Sequence, residues 1–164
     1  MLFKKYLNSF ISYNILLVIF FSLSVTSIES ISFLNSLSFV IFHFIIIYLS
    51  LYYYRLSLYI IFFLFGLATD LFLIHQIGPH LLTFMCLLLI ISQIIKILKK
   101  FNYTKMYLVV IFIQFLLILI EMILSQLLFN YKINLINYFN LVFISLISSY
   151  PILLFLNKID KIKL

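Results

Sequence analysis

The chain has 164 residues, of which 66% are hydrophobic and only 9% charged, and its mean hydropathy is +1.30. Soluble domains carry roughly a quarter charged residues, and 11 Lys and Arg with 4 Asp and Glu cannot coat a globule of this size, so lipid must cover it. The net charge of +7 then reads as topogenic charge beside anionic lipid, with no nucleic-acid partner. A single cysteine, Cys86, excludes an intramolecular disulfide, and three scattered histidines argue against zinc, so no metal and no cofactor are expected.

At about 20 residues per crossing, the apolar runs predict six transmembrane helices, near 9–28, 33–54, 57–75, 79–98, 106–129 and 135–157. The expected fold is all-α: one compact bundle over residues 1–164 with no soluble domain. The first run follows Lys4 and Lys5 as a signal peptide would, but it is long for one and lacks an A-x-A-like site, so it reads as an uncleaved helix. The second carries Ser36, His43 and Ser50 at heptad spacing and ends in Tyr52, Tyr53 and Tyr54. The third ends in Gly66-Leu67-Ala68-Thr69-Asp70, and a turn from His75 to His80 leads into the fourth. The fourth places Thr83, Cys86, Ile90 and Gln93 on one seam, and the fifth does the same with Gln114, Ile118, Glu121 and Ser125. All three seams are expected to face inward, joining helices by hydrogen bonds worth about 0.6 kcal/mol each.

Charge sets the orientation. With the N-terminus inside, strict alternation puts Lys4, Lys5, Arg55, Lys96, Lys99, Lys100, Lys105, Lys158, Lys161 and Lys163 on one side and only Lys132 on the other, which predicts both termini cytoplasmic. Tyrosines stand in for the absent tryptophan: Tyr52 to Tyr54, Tyr103, Tyr107, Tyr131 and Tyr138 fall at span ends, where a ring rests in lipid and its hydroxyl in water.

Two acids lie within spans. An Asp near mid-membrane costs about 3 kcal/mol and is by default a functional hypothesis. At 1.5 Å per residue, Asp70, Glu121 and His43 lie about 7, 12 and 15 Å below the outer surface, close enough in depth for one buried polar cluster, with Asp70 either protonated by burial or paired to His43, His75 or His80. A proton relay would need an acid or base in the inner half as well, and His75 with His80 is an incomplete metal set. No nucleophile context such as G-x-S-x-G occurs, so no catalytic residue and no enzyme activity are expected.

The scarce residue types gather in one place. Both glycines, the only alanine, the mid-span Asp70 and Pro79 fall between Gly66 and Pro79. Gly66 and Asp70 are one turn apart on a helix face, so a neighbouring helix can come close just below the acid. Gly78 suits the start of the fourth helix and Pro79 its first position, where a missing N–H loses no bond. In this Gly66-to-Asp70 pattern followed by Ile77-Gly78-Pro79-His80, the chain resembles the bacterial rod shape-determining protein MreD family. The resemblance extends to the basic loop after the fourth helix, to Glu121 in the next, and to Tyr150-Pro151-Ile152-Leu153-Leu154-Phe155 before a lysine-rich tail. The chain departs from the family where Leu73, Ile74 and His75 replace the small residues usual in that turn.

The resemblance implies a non-enzymatic component of the cell-elongation machinery in the bacterial inner membrane. Its partners would be MreC, the MreB filament, the RodA glycosyltransferase and a class B penicillin-binding transpeptidase. On that reading Gly66, Asp70, Gly78, Pro79, Glu121 and His43 form the packing motif or a partner interface, and Lys96, Lys99, Lys100 and Lys105 meet anionic headgroups or a cytoplasmic partner. The alternative is the substrate-capture subunit of an energy-coupling-factor vitamin transporter, of similar size and span number. Against it, the first helix has none of the Ala or Gly with which such subunits dock their coupling protein.

Overall fold

The computed structural model describes residues 2–25, 32–98, 100–129 and 135–162. Six helices fill them: α1 (Leu2–Val25), α2 (Ser32–Tyr52), α3 (Ser57–Thr69), α4 (Pro79–Leu98), α5 (Tyr103–Phe129) and α6 (Leu135–Ile162). There is no strand among the described residues, as expected where lipid offers backbone groups no partner and each segment must satisfy its own. Five of the helices, α3 counted through its terminal turn, are long and apolar enough to cross a membrane, and α1 contributes a shorter apolar stretch, Phe10–Val25. The protein is a membrane-embedded helical bundle.

Several helix limits differ from the sequence expectation. α2 ends at Tyr52, its last helical bond running from the Tyr53 N–H to the Leu49 carbonyl, and the chain then turns through Arg55, whose carbonyl takes the Leu58 N–H. α5 starts three residues early and α6 runs five residues past 157, carrying polar ends beyond their apolar stretches. The last residues of the first expected span, together with Glu29, Tyr131 and Lys132, lie outside the described residues. The third span is not one uniform helix: after Thr69 the chain widens into a π-helical turn, Asp70–Ile74, and is halted by His75 in the left-handed region at φ 58°. That conformation suits glycine and is uncommon for any other residue.

α2 is the axis of the bundle. It touches α1, α4, α5 and α6, and every residue from Phe42 to Leu51 is buried, as fits a helix that is apolar all round. Its Ser36, His43 and Ser50 seam faces inward, as does the Gln114, Ile118, Glu121 and Ser125 seam of α5. The α4 seam does not. Only Thr83 is buried there, while Cys86, Ile90 and Gln93 are exposed. α4 instead buries His80, Phe84, Leu87, Leu88 and Ile91. At about 100° per residue Thr83 sits on the edge of that arc and the other three seam residues fall beyond it, so lipid covers them.

The tyrosines divide between two roles. Tyr52 is exposed as an interfacial anchor would be, but Tyr53 is buried against Tyr13, ring centroids 5.2 Å apart. Tyr13 donates to the Leu156 carbonyl (2.9 Å), Tyr48 to Asn157 Oδ1 (3.2 Å), and Tyr107 shares a hydrogen bond with Ser149 (2.9 Å). These bonds tie α1, α2 and α5 to α6.

Candidate functional site

α3 and α4 form a hairpin whose geometry follows from Gly66. A Cβ at that position would lie 2.6 Å from the Leu81 Cα and 3.1 Å from the Leu81 nitrogen. Backbone therefore meets backbone, and only the missing side chain permits it. The close approach brings the start of α4 onto the carboxylate of Asp70, one turn along on the same face. Thr69, next to it, bonds back to the Phe65 and Gly66 carbonyls.

Asp70 is fully buried and accepts four hydrogen bonds. Oδ2 takes the N–H of Gly78 (2.8 Å) and of Leu81 (3.1 Å), and Oδ1 takes the N–H of His80 (2.9 Å) and the His80 ring at Nδ1 (2.8 Å). The first N–H groups of a helix have no intrahelical partner and are normally met by the side chain of the residue just before it. Gly78 holds that place for α4 and has no side chain, so Asp70 reaches across the hairpin and does the capping in its stead. The helix dipole favours a negative charge at this spot, and a carboxylate offers about four acceptor positions. All four are filled. Asp70 is thus an ionised, saturated group, and His80 Nδ1 is the donor of their shared bond. Pro79, with no N–H to satisfy, fits the first helical position.

The second carboxylate ties α5 to α2. Glu121 Oε1 lies 2.9 Å from His43 Nε2, and His43 Nδ1–H donates to the Phe39 carbonyl at 2.8 Å. A carbonyl can only accept, which fixes the Nδ1 proton. Glu121 Oε2 faces His80 Nε2 at 3.9 Å, beyond hydrogen-bonding distance. The four groups form an unbroken sequence in space: Asp70, His80, Glu121, His43. Phe39, Phe42 and Phe84 wall it off, with Phe39 4.1 Å and Phe84 5.6 Å from the His43 ring, centroid to centroid, and both close to His80.

The structure therefore brings together His43, Gly66, Asp70, Gly78, Pro79 and Glu121 around one end of the bundle. His80, expected only as one of three candidate partners for Asp70, is the link between the two acids, and Phe39 and Phe84, which sequence reasoning missed, are its walls. The spacing signal was present, since Phe39 and His43 on α2, and His80 and Phe84 on α4, are both i, i+4 pairs. His75 takes no part, being exposed at the turn with Nδ1 against the Leu71 carbonyl (3.1 Å). Lys96, Lys100 and Lys105 stand exposed at the opposite end of the bundle, and Lys99 lies outside the described residues. Among those residues no group of three or more His, Cys, Asp or Glu is arranged to hold a metal ion.

Chemically the arrangement is a core of bonded acid and imidazole groups. Serines placed in the spans, such as Ser50, Ser92, Ser145 and Ser148, donate to carbonyls three or four residues back in their own helices. No protein-family model, no curated protein and no solved structure matches the chain.

Proposed function

We propose that this protein is a non-enzymatic scaffold of the bacterial inner membrane and, more particularly, a member of the MreD family that holds the cell-elongation complex together. On this reading six helices cross the membrane with both termini in the cytoplasm. The lysine-bearing end faces the MreB filament, and the helix faces receive MreC, RodA and a class B penicillin-binding transpeptidase. What supports the reading above all is that the residues carrying the resemblance act as a unit. Gly66 permits the contact, Asp70 caps across it, and Gly78 with Pro79 shapes the helix start that is capped. A motif that sets the packing of two helices suits a bundle whose task is to hold its helix faces in fixed register. The vitamin-transporter alternative gains nothing comparable. A cavity of about 230 Å³ between α1, α2 and α6 is lined by apolar residues such as Phe20, Ile45 and Phe155, with no charged group among its described lining residues to orient a polar vitamin.

The test is cross-linking and capture of the tagged full chain from native bacterial membranes. Recovery of MreC and the transpeptidase is expected, and replacing Lys96, Lys99, Lys100 and Lys105 together by Gln is expected to reduce recovery of the filament or synthase without preventing insertion. Capture of none of these partners, or nanomolar binding of a vitamin by the purified chain, overturns the proposal.

A further inference from the structure

The two acid–imidazole pairs belong to different parts of the bundle. Asp70 and His80 lie within the α3–α4 hairpin, whereas Glu121 and His43 join α5 to α2. They meet only where His80 Nε2 faces Glu121 Oε2 across 3.9 Å, roughly 1 Å more than a charge-assisted bond. We propose that this gap is a proton-operated joint: one proton, bound between His80 and Glu121, draws the start of α4 tighter against α5, and its loss reopens the gap.

Counting protons leads there. Asp70, saturated by four donors, is a carboxylate, and His80 Nδ1 and His43 Nδ1 each carry the proton that their acceptors require. One further proton lies between His43 Nε2 and Glu121 Oε1 at 2.9 Å. With these in place the four groups together carry one net negative charge. Adding a proton at His80 Nε2 brings the set to neutrality and supplies the missing donor for Oε2. Without it, two lone pairs face each other across the gap. The joint's titratable groups come from every element that builds it: His43 from α2, Asp70 from α3, His80 from α4 and Glu121 from α5. His75 is exposed at the hairpin tip. The described basic side chains Arg55, Lys96, Lys100, Lys105 and Lys158 are all at the far end. Among the described residues no basic side chain neutralises the charge, and a proton can. His80 and Glu121 each keep a small exposed fraction, 8% and 7% of their side chains, by which it can arrive.

This differs from a relay, for nothing carries the proton onward, and it does not rest on the family membership proposed above. The test uses the full chain in lipid nanodiscs, with labelled imidazole nitrogen and Glu carboxyl carbon. Solid-state NMR then measures the distance between His80 Nε2 and the Glu121 carboxyl carbon across about pH 5 to 8, the range in which imidazoles titrate. A shortening of about 1 Å on acidification is expected, together with the change of the His80 Nε2 resonance from unprotonated to protonated. In Glu121→Gln, which keeps the side chain's shape without its charge, the distance is expected to stay constant with pH. A distance that stays constant with pH in the unaltered chain overturns the joint, a reading that needs no variant to fold.

Discussion

Replacing Gly66 by Ala tests the hairpin at its tightest point. The new Cβ would stand 2.6 Å from the Leu81 Cα, whereas carbon atoms rest comfortably at about 3.5–4.0 Å. The obstacle is backbone, so no rotamer change relieves it and α4 must move outward by roughly 1 Å. That displacement stretches the Leu81 N–H bond to Asp70, already 3.1 Å, and the His80 N–H bond at 2.9 Å, past useful length. Overpacking costs about 1–3 kcal/mol and a lost helix cap about 0.5–2 kcal/mol, while the better helix propensity of Ala returns up to about 1 kcal/mol. A net loss of about 2 kcal/mol follows. Gly78 is the internal control, because its added Cβ would meet the Leu128 Cδ1 at 2.8 Å and the Phe129 Cζ at 3.4 Å, the far ends of side chains that can swing aside. Gly78→Ala is expected to cost less than about 1 kcal/mol. Steric-trapping unfolding in bicelles measures both. Equal costs, or a Gly66→Ala variant within about 0.5 kcal/mol of the parent, would refute the backbone-contact reasoning.

Further outcomes follow from the buried bonds. Glu121→Leu and His43→Leu are each expected to destabilise by about 3–5 kcal/mol, because either leaves a buried ionisable partner behind. The double variant should lose clearly less than the sum, and additive losses would show that the pair does not interact. Gln114→Leu is expected to be neutral or stabilising by up to about 1 kcal/mol, since Gln114 Oε1 is buried without a partner and its Nε2 reaches Ser145 only at 3.5 Å; a loss above about 1 kcal/mol in the same unfolding assay would contradict this. His75→Val should cost about 1–2 kcal/mol, because a β-branched residue resists the left-handed conformation at φ 58°, and His75→Gly should not. Thermal denaturation in detergent separates the two.

Much of this architecture is legible in the sequence. Apolar run lengths mark where the helices fall, and heptad spacing identifies the inward faces of α2 and α5, because in lipid a Gln or Glu on a long helix has every reason to face protein. The same reasoning failed for α4. Thr83, Cys86 and Gln93 are polar enough to suggest a seam, yet small or near-terminal polar groups tolerate the lipid face, and the large apolar arc of Phe84, Leu88 and Ile91 decided the rotation. Gly66 and Asp70 were recognisable as a close-contact pair. That Asp70 caps a helix other than its own was not, for a cap is read from the residue just before a helix and here that residue is Gly78. The π-helical turn was also hidden, since Asp70–Ile74 has ordinary helix-compatible residues and its width is settled by docking against α4. His80 was visible only as part of a turn and a candidate partner for Asp70; its linking role depends on Glu121, 41 positions later in the chain.

Residue-resolved hydrogen–deuterium exchange at the start of α4, in the full chain in nanodiscs, examines the capping bonds without altering a residue. The amides of Gly78, His80 and Leu81 precede or open the helix and have no intrahelical acceptor, so on their own they would exchange as a frayed terminus does. Held by Asp70, they should be protected to the level of the first intrahelical amide, Leu82, which bonds the Gly78 carbonyl at 2.9 Å. Rapid exchange at all three, with protection beginning only at Leu82, would mean that Asp70 does not cap α4.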